Sequence, residues 1–212
     1  PPLVYFITQF YKPEDKKRYH EIRHCLQMNC KCSYINKIIL LNEKDLSHEW
    51  INMTGCERIE QIIIRRRLAY ADLIQITRDR IPPNTIVIWS NADIYCTDTI
   101  GMLWTVNMHD KMFALLRWDE QADGNEPVLY NDTERSQDTW IVLSDSIKQR
   151  QWNLDTLNYK LGTPGCDNKF AFDMFRNRFC VSNPCNSIKM IHSHQSQIRA
   201  YSIADTVFSD VY

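Results

Sequence analysis

Residues 85–95 read TIVIWSNADIY, and this stretch determines how the rest of the chain can be arranged. Its first five residues are β-branched or apolar, Pro82 and Pro83 precede it, and a polar cluster with Asn91 and Asp93 follows. Such a bounded apolar run is typical of a buried central strand, although periodicity alone also allows a buried helical turn. A strand would place the polar cluster at its carboxyl end, where ligands bind in open α/β sheets. The alternative is an ordinary turn, in which Asn and Asp bond the local backbone.

Other strand-like runs alternate with helix-like segments along the chain. Residues 59–64 fit either a strand or the start of a helix, and residues 45–54 fit a short helix or a loop. The alternation predicts a single α/β domain with a mostly parallel central sheet flanked by helices. The expected strands are residues 3–10, 35–41, 85–90, 112–118, 140–143 and 188–191, and the clearest expected helices begin after Pro13, near Leu68 and at Phe170. A short helix through residues 101–104 is also expected, with Asp98 or Thr99 as its cap.

Composition limits the class of protein and its partners. The chain has 212 residues, of which 44% are hydrophobic and 24% charged, as in an ordinary globular domain. A net charge of −1 gives no electrostatic reason to expect nucleic acid or an anionic membrane as a partner. No apolar window is long enough for a transmembrane helix, and no signal peptide is visible. The eight cysteines are therefore expected to be reduced and mostly buried, which predicts a cytoplasmic protein. The ends are also compatible with a domain cut from a longer chain.

Glycine usage excludes two large classes of nucleotide-binding protein. The chain has only five glycines and contains neither GxGxxG nor GxxxxGK[ST], which disfavours dinucleotide dehydrogenases and P-loop kinases. Any phosphate group would instead be neutralised by a metal ion and by arginine. Arg67, at the start of an expected helix, and Arg199 are the candidates, although a surface arginine is most often only solvated.

A carboxylate and two histidines form a candidate metal site. His192 and His194 are two residues apart, so on a strand they would share a face. Together with Asp93 they offer oxygen and imidazole ligands, which suit Mn²⁺ or another first-row ion better than Ca²⁺. The alternative for each histidine is a hydrogen-bonded core or surface residue.

Two further acids could carry proton transfer. Asp138 and Asp167 each lie beside an amide residue, Gln137 and Asn168 respectively. Local sequence favours an N-cap role for Asp167, because it precedes an apolar helix, and Asp138 could be an ordinary turn acid.

Taken in order, five segments resemble the GT-A-type glycosyltransferases that use nucleotide-sugar donors. The resemblance is closest to small viral or microbial glycosyltransferase domains with an NxD motif, such as those of large algal viruses. The segments are residues 67–72 (RLAYAD), the DxD-like NADIY at 91–95, SQDTW at 136–140, PGCDN at 164–168, and the terminal pattern of His192, His194, Ser196, Arg199 and Tyr201.

This resemblance implies a function and assigns roles to residues. It implies transfer of a hexose or deoxyhexose from a nucleotide-diphosphate sugar, UDP being favoured, to a glycan or glycoprotein acceptor. It also implies Mn²⁺ or Mg²⁺ as cofactor, a nucleotide-sugar half at residues 1–95 and an acceptor-side half at residues 96–212. The implied roles are donor binding for Thr8, Gln9, Asn42, Arg67, Asn91, Asp93 and Arg199, metal binding for Asp93, His192 and His194, acid/base or positioning roles for Asp138 and Asp167, and acceptor contacts for Trp118 and Asn168. Trp140 is expected to pack in the core.

One residue departs from the family pattern and keeps two other functions open. Asn91 stands where the motif has its first carboxylate, so it brings no charge to a metal. A non-catalytic nucleotide-sugar or carbohydrate-binding domain is one alternative. A metal-dependent phosphoesterase is another, although two-metal hydrolysis relies on more clustered carboxylates than the sequence offers. The stereochemical course is open, since an inverting reaction requires a base and a retaining one does not.

Overall fold

The computed structural model describes residues 1–131, 136–193, 196 and 206–207. Its helices are α1 (Lys16–Lys31), α2 (Ser47–Thr54), α3 (Tyr70–Arg80), α4 (Ser144–Lys148) and α5 (Cys166–Arg176), with 3₁₀ helices at Asp98–Thr105 and Leu154–Leu157. Its strands are β1 (Leu3–Thr8), β2 (Lys37–Asn42), β3 (Ile59–Ile63), β4 (Thr85–Ser90), β5 (Ile94–Cys96), β6 (Lys111–Leu115), β7 (Trp118–Asp119), β8 (Val128–Leu129), β9 (Thr139–Leu143), β10 (Cys180–Ser182) and β11 (Met190–His192).

Seven strands form the central sheet in the order β10-β6-β9-β4-β1-β2-β3. The strands β4, β1, β2 and β3 run parallel to one another, and β10 runs parallel to β6. Only β9 runs antiparallel, between β4 and β6. The prediction of an α/β domain with a mostly parallel sheet is confirmed, and residues 59–64 supply a strand.

The strand β4, at Thr85–Ser90, is buried on both faces of the sheet. Ile86 and Ile88 of β4 pack on one side of the sheet, in the same cluster as Ile22 of α1. Val87 and Trp89 pack on the other side, with α3 and α5. Successive side chains of a strand point to opposite faces, so a run without polar residues is required where both faces are covered. The alternative of a helical turn is thereby excluded.

A second, four-stranded sheet in the order β5-β11-β7-β8 lies just beyond the end of β4. Its middle strand β11 pairs antiparallel with β5 and parallel with β7. In this register His192 is opposite Ile94 on one side and Asp119 on the other. The small sheet therefore brings a histidine from near the end of the described chain next to Asp93.

Four local expectations were wrong in detail. Helix α3 begins at Tyr70, so Arg67 precedes it instead of starting it. The run at residues 112–118 divides, because β6 ends at Leu115 and Trp118 joins the small sheet. The cap of the 3₁₀ helix after β5 is Thr97, not Asp98 or Thr99.

The fourth correction concerns Asp167, which lies inside the first turn of α5 and does not cap it. The N-cap position belongs to Gly165, whose φ of +78° suits glycine. A Cβ atom there would also lie 2.4 Å from the Val207 carbonyl oxygen. No helix in the described ranges is both long and apolar enough to cross a membrane. All eight cysteines are free thiols, and five of them are buried.

Candidate functional site

Asp93 is the centre of a buried cluster of charges. It lies in the turn between β4 and β5 and is only 6% exposed. Its Oδ2 atom is 2.8 Å from Nη2 of Arg18, on α1, and 3.1 Å from Nε2 of His192, on β11. Its carbonyl accepts a hydrogen bond from the Ser193 backbone N–H at 2.9 Å. The side chain thus joins elements distant in sequence, which argues against the role of an ordinary turn residue.

His192 is fixed between two carboxylates. Its Nδ1 atom lies 2.9 Å from Oδ1 of Asp119, and its Nε2 atom faces Asp93. Burial by itself would lower the pKa of His192, but the charge of Asp93 and the hydrogen bonds to both acids outweigh it and raise the pKa to about 9. Burial likewise acts to raise the pKa of Asp119, and the contacts with His192 and Arg117 lower it overall.

Two residues of α1 connect this cluster to the following segment of the chain. Nη1 of Arg18 lies 3.1 Å from Oε2 of Glu21. Glu21 accepts hydrogen bonds from the backbone N–H of Ser196, at 2.7 Å, and from its hydroxyl, at 3.0 Å. Ser196 is therefore attached to the same helix that supplies Arg18 to Asp93.

Asn91 has a different partner from the one that the DxD pattern suggests. Its side-chain Nδ2 donates to Oδ1 of Asp138 at 2.8 Å, and its backbone N–H donates to the Asp138 carbonyl at 3.1 Å. The second carboxylate oxygen of Asp138 accepts from Nη1 of Arg117 at 2.9 Å. Because Nε of Arg117 also donates to Asp119 at 3.0 Å, this arginine links Asp138 to the histidine cluster. An amide suits position 91, since a carboxylate there could not donate to Asp138.

Asp167 has no such cationic partner in the described part of the chain. Its Oδ2 atom accepts from the backbone N–H of Gln137 at 2.9 Å. Burial raises its pKa to about 6, and the charge of Asp138 acts in the same direction, while the backbone hydrogen bonds oppose them. A carboxyl group with this pKa can accept a proton near neutral pH.

Gln137 presents a buried acceptor beside this acid. Its Nε2 atom donates to Oδ1 of Asn168 at 3.4 Å. Its Oε1 atom is buried and has no hydrogen-bond partner among the described residues. Buried polar atoms are nearly always paired, so this oxygen is an exception among the described residues.

The residues expected to line a nucleoside pocket lie at the ends of β1 and β2, where their side chains bond the chain itself. Thr8 donates to the Ser90 carbonyl at 2.9 Å, and Gln9 donates to the Leu41 carbonyl at 2.9 Å. Asn42 is fully buried, accepts from the Phe10 N–H and donates to Gln61, each at 2.8 Å. These bonds fix the loops that follow both strands.

The other residues with an expected role lie in separate parts of the fold. Arg67 donates to the Leu161 carbonyl at 2.9 Å, ahead of α5. Trp118 is half-buried, donates to the Cys185 carbonyl at 2.9 Å, and has Lys189 over its ring at 4.2 Å. Trp140 is fully buried in the core, as predicted. His194 and Arg199 lie outside the described residues.

Asp93 and His192 could together hold one divalent cation once the His192 ring has released a proton, because metal ligands must be deprotonated. Their Oδ2 and Nε2 atoms converge at 3.1 Å, and Asp119 holds the other ring nitrogen, the arrangement usual for a metal-bound histidine. Within residues 1–131, 136–193, 196 and 206–207, no three His, Cys, Asp or Glu side chains gather as metal ligands. The donor set is thus one carboxylate and one imidazole, which suits Mn²⁺ and, less well, Mg²⁺.

Sequence reasoning missed Arg18 and Glu21, and did not assign a role to Asp119, Arg117 or Gln137. A signal for Glu21 exists in the helical pattern. Glu21 is buried on the same face of α1 as Ile22 and Cys25, so an acid there interrupts an apolar face. Buried charges require partners, and the neighbouring Arg18 supplies one. No comparable local pattern indicates that Arg18 reaches Asp93.

Comparisons with proteins of known structure support the assignment of the fold. No family model matches the chain, and a search of curated proteins finds no significant match. The 4-diphosphocytidyl-2C-methyl-D-erythritol synthase of Anaerococcus prevotii is similar in structure at a TM-score of 0.56 and 13% identity, over 96% of this chain and 94% of that one. GalNAc-T7, solved with UDP, GalNAc and Mn²⁺, is similar at a TM-score of 0.58 and 10% identity. That match covers 91% of this chain but only 43% of the GalNAc-T7 chain. At these identities the likeness establishes a fold of the GT-A type, as the resemblance implied.

Proposed function

We propose that the chain is a metal-dependent glycosyltransferase that moves a sugar from a nucleotide-diphosphate sugar, UDP being favoured, to a glycan or glycoprotein acceptor. The observation that carries the proposal is the convergence of Asp93 Oδ2 and His192 Nε2 at 3.1 Å, just beyond the end of β4 in a GT-A-type sheet. GalNAc-T7, which has a similar fold, was crystallised with UDP and Mn²⁺. Ligands of open α/β sheets bind at this edge.

On the donor side of the proposed site, charged side chains already contact one another around Asp93. Bound Mn²⁺ or Mg²⁺ would supply positive charge opposite the departing nucleoside diphosphate. Asp93 and His192 would hold the ion, together with His194 if the terminal segment follows the family pattern. Asp119 keeps the His192 ring in one orientation, and Arg18 fixes the Asp93 carboxylate. Arg67 and Arg199 would contact the donor phosphates.

The nucleoside would bind along the loops after β1 and β2. Thr8, Gln9 and Asn42 bond the backbone there, so their contribution is to fix the surface that the nucleoside meets. Asn91 would combine a contact to the donor with its bond to Asp138.

The acceptor side centres on Asp167. Its raised pKa makes it the better proton acceptor, because Asp138 already binds N–H donors on both carboxylate oxygens. Asp167 would take the proton from the acceptor hydroxyl as that oxygen attacks the sugar. Gln137 Oε1 would accept a hydrogen bond from a sugar hydroxyl. Asn168 and Trp118 would contact the acceptor.

A titration with a panel of UDP- and GDP-sugars, with and without Mn²⁺, tests the proposal. We expect Mn²⁺-dependent binding of at least one UDP-sugar, measured by calorimetry, and release of free UDP when a glycan acceptor is added. A control with Asp123→Asn, a change in an exposed loop, should behave as wild type. Absence of Mn²⁺-dependent binding for every donor would contradict the proposal.

A non-catalytic nucleotide-sugar-binding domain is the second candidate. The pairing of Asp93 with Arg18, together with the uncharged Asn91, favours it, because both reduce the negative charge available to a metal ion. Donor binding without transfer to any acceptor in a broad glycan panel would support this function instead.

A further inference from the structure

A cavity of about 440 Å³ lies between the C-terminal end of α1 and the segment that follows α2. Its wall includes two cysteines, Cys30 and Cys56, along with Met53, Thr54 and Arg58. Both cysteines are half-buried, so each sulfur is sheltered by the fold and still borders space that a small molecule can enter. The metal-binding and acid/base residues do not line this cavity.

The two cysteines lie beside each other on the cavity wall. The Arg58 side chain, two residues after Cys56, donates to the Cys30 carbonyl, and the Thr54 hydroxyl accepts a hydrogen bond from the Cys56 backbone N–H at 3.1 Å. Burial raises the pKa of Cys30 to about 12, and the neighbouring Cys56 adds to the rise.

The backbone around the pair is held from both sides. Arg58 donates to the carbonyls of Cys30, Cys32 and Ile35, which closes the C-terminal end of α1. Gly55, in the left-handed region with φ of +56°, ends α2 and directs the chain toward Cys56. A disulfide forms without strain only where the two backbones are already close, and these contacts keep them close.

The other six cysteines do not share these properties. Cys25, Cys32, Cys96, Cys166 and Cys185 are buried, and Cys180 is exposed on the edge strand β10. Cys30 and Cys56, in contrast, both line the cavity between α1 and the segment after α2.

We propose that Cys30 and Cys56 form a reversible disulfide, and that the oxidant is a low-molecular-weight disulfide such as oxidised glutathione. The Cys56 sulfur, after losing its proton to solvent, attacks one sulfur of the oxidant and releases one glutathione thiol. The Cys30 sulfur then attacks the Cys56 sulfur of the mixed disulfide, loses its proton, and releases the second glutathione thiol. Two protein thiols are oxidised and one glutathione disulfide is reduced to two thiols.

The bond would join the C-terminal end of α1 to the segment after α2. It would enclose β2 and α2 in a covalent loop, which restricts the unfolded chain and stabilises the folded one. The opposite end of α1 carries Arg18, so the bond would also restrain the helix that contacts Asp93.

Mapping of the disulfide in the full 212-residue chain tests the proposal. The reduced protein is equilibrated at low concentration with oxidised and reduced glutathione, quenched with N-ethylmaleimide, digested and analysed by mass spectrometry. We expect a Cys30–Cys56 cross-linked peptide and the loss of two alkylatable thiols per chain. The oxidised protein should unfold at a temperature higher by roughly 5 °C or more.

Three variants make the result specific. Cys30→Ser and Cys56→Ser should each lose both the cross-link and the oxidation-dependent shift in unfolding temperature. Cys180→Ser should keep both, because Cys180 is exposed and remote from the cavity wall. Separate alkylation of Cys30 and Cys56 in wild-type protein, under conditions that convert Cys180 to its glutathione mixed disulfide, would overturn the proposal. So would a disulfide that joins either residue to a different cysteine.

Discussion

Asp93 is buried and Asp167 is half-buried in the candidate site, and their electrostatic surroundings are opposite. Asp93 contacts Arg18 at 2.8 Å and His192 at 3.1 Å. Asp167 accepts from a backbone N–H group, and the nearby charge of Asp138 is of the same sign. The site thus contains one carboxylate that is paired with cations and another that is not.

This difference in surroundings suits the two acids to different chemical roles. A carboxylate paired with cations stays ionised and keeps its position, which suits a ligand or a positioning group. A buried carboxylate without a cation holds a proton up to higher pH, which suits proton transfer. The five predictions below test whether the two acids differ in this way, beginning with the largest expected effect.

The first prediction concerns Asp167→Asn. We expect the rate of glycosyl transfer to fall by about 10²–10⁴-fold, because an amide cannot accept the acceptor's proton. Donor affinity should stay within about twofold, since we propose Asp167 for the acceptor side of the site. Steady-state kinetics and donor calorimetry measure the two quantities, and Asp155→Asn, at an exposed site, is the control. A parallel loss of donor affinity would remove the distinction between the two acids.

The second prediction concerns Asp93→Asn. The change keeps the size of the side chain and removes its charge, so Mn²⁺-dependent donor binding should weaken by more than about 100-fold. Calorimetry in the presence and absence of Mn²⁺ measures the effect, and circular dichroism checks the fold. Wild-type affinity in a folded variant would show that Asp93 does not hold the metal.

The third prediction concerns Asp119→Asn. Asp119 contacts Nδ1 of His192 at 2.9 Å, so we expect it to act through the histidine. Mn²⁺ affinity, followed by electron paramagnetic resonance of free Mn²⁺, should fall by about 10–100-fold. The matched control is Asp123→Asn in the following loop, which should leave the affinity unchanged. An unaffected Asp119→Asn variant would limit Asp119 to its contact with Arg117.

The fourth prediction follows from the pKa of Asp167. Its folded-state pKa, about 6, exceeds the ordinary value of 3.8, so the folded state binds the proton more tightly. The resulting stability is fully present below pH 3.8 and is lost as the pH rises through 6. Asp167→Asn should therefore raise the free energy of unfolding by about 2–3 kcal/mol at pH 8 and change it little at pH 3.5. Denaturant unfolding at the two pH values measures this, and an equal effect at both would contradict the assignment.

The fifth prediction concerns Asn91→Asp, which restores the carboxylate of the family motif. The new carboxylate would face Asp138 in place of an amide donor now 2.8 Å away. We expect a loss of about 1–2 kcal/mol in the free energy of unfolding, measured with denaturant at pH 7. Asn125→Asp tests an exposed Asn–Asp contact and should cost less than about 0.5 kcal/mol. A stabilised Asn91→Asp variant would mean that Asp138 is not the partner that selects the amide.

Much of the fold could be predicted because its signals are local. The apolar run at Thr85–Ser90 and the acids and proline before α1 indicate a strand and a helix without any knowledge of the tertiary structure. The predictions that were wrong concern residues whose contacts are with parts of the chain that are distant in sequence. Trp118 leaves the sheet that contains β6 because its strand pairs with β11 and β8. Gly165, at the cap position, has a φ of +78°, and the Val207 carbonyl oxygen lies where a side chain would begin.

The site was predictable only in part, for the same reason. Strand ends pointed to Asp93 and His192 as candidates, because polar residues after apolar runs stand out in a sequence, whereas Asp138 was a candidate because it lies beside Gln137. Arg18 and Glu21 lie within a helix, and their partners, Asp93 and Ser196, are far away in sequence. Neither the role of Asn91 as a donor to Asp138 nor the proximity of Cys30 and Cys56 has a local signal.

By itself, the sequence determined the class of fold, the carboxyl ends at which polar groups collect, and the types of residue available for chemistry. These follow from hydrophobic periodicity and from side-chain chemistry, which act over a few residues. Only the tertiary structure decided which charges meet. It paired Asp93 with Arg18 and His192, and it left Asp167 with backbone amides and a like charge. The physical reason is that protonation and ion pairing depend on burial and on distances of a few ångströms, which only the folded chain fixes.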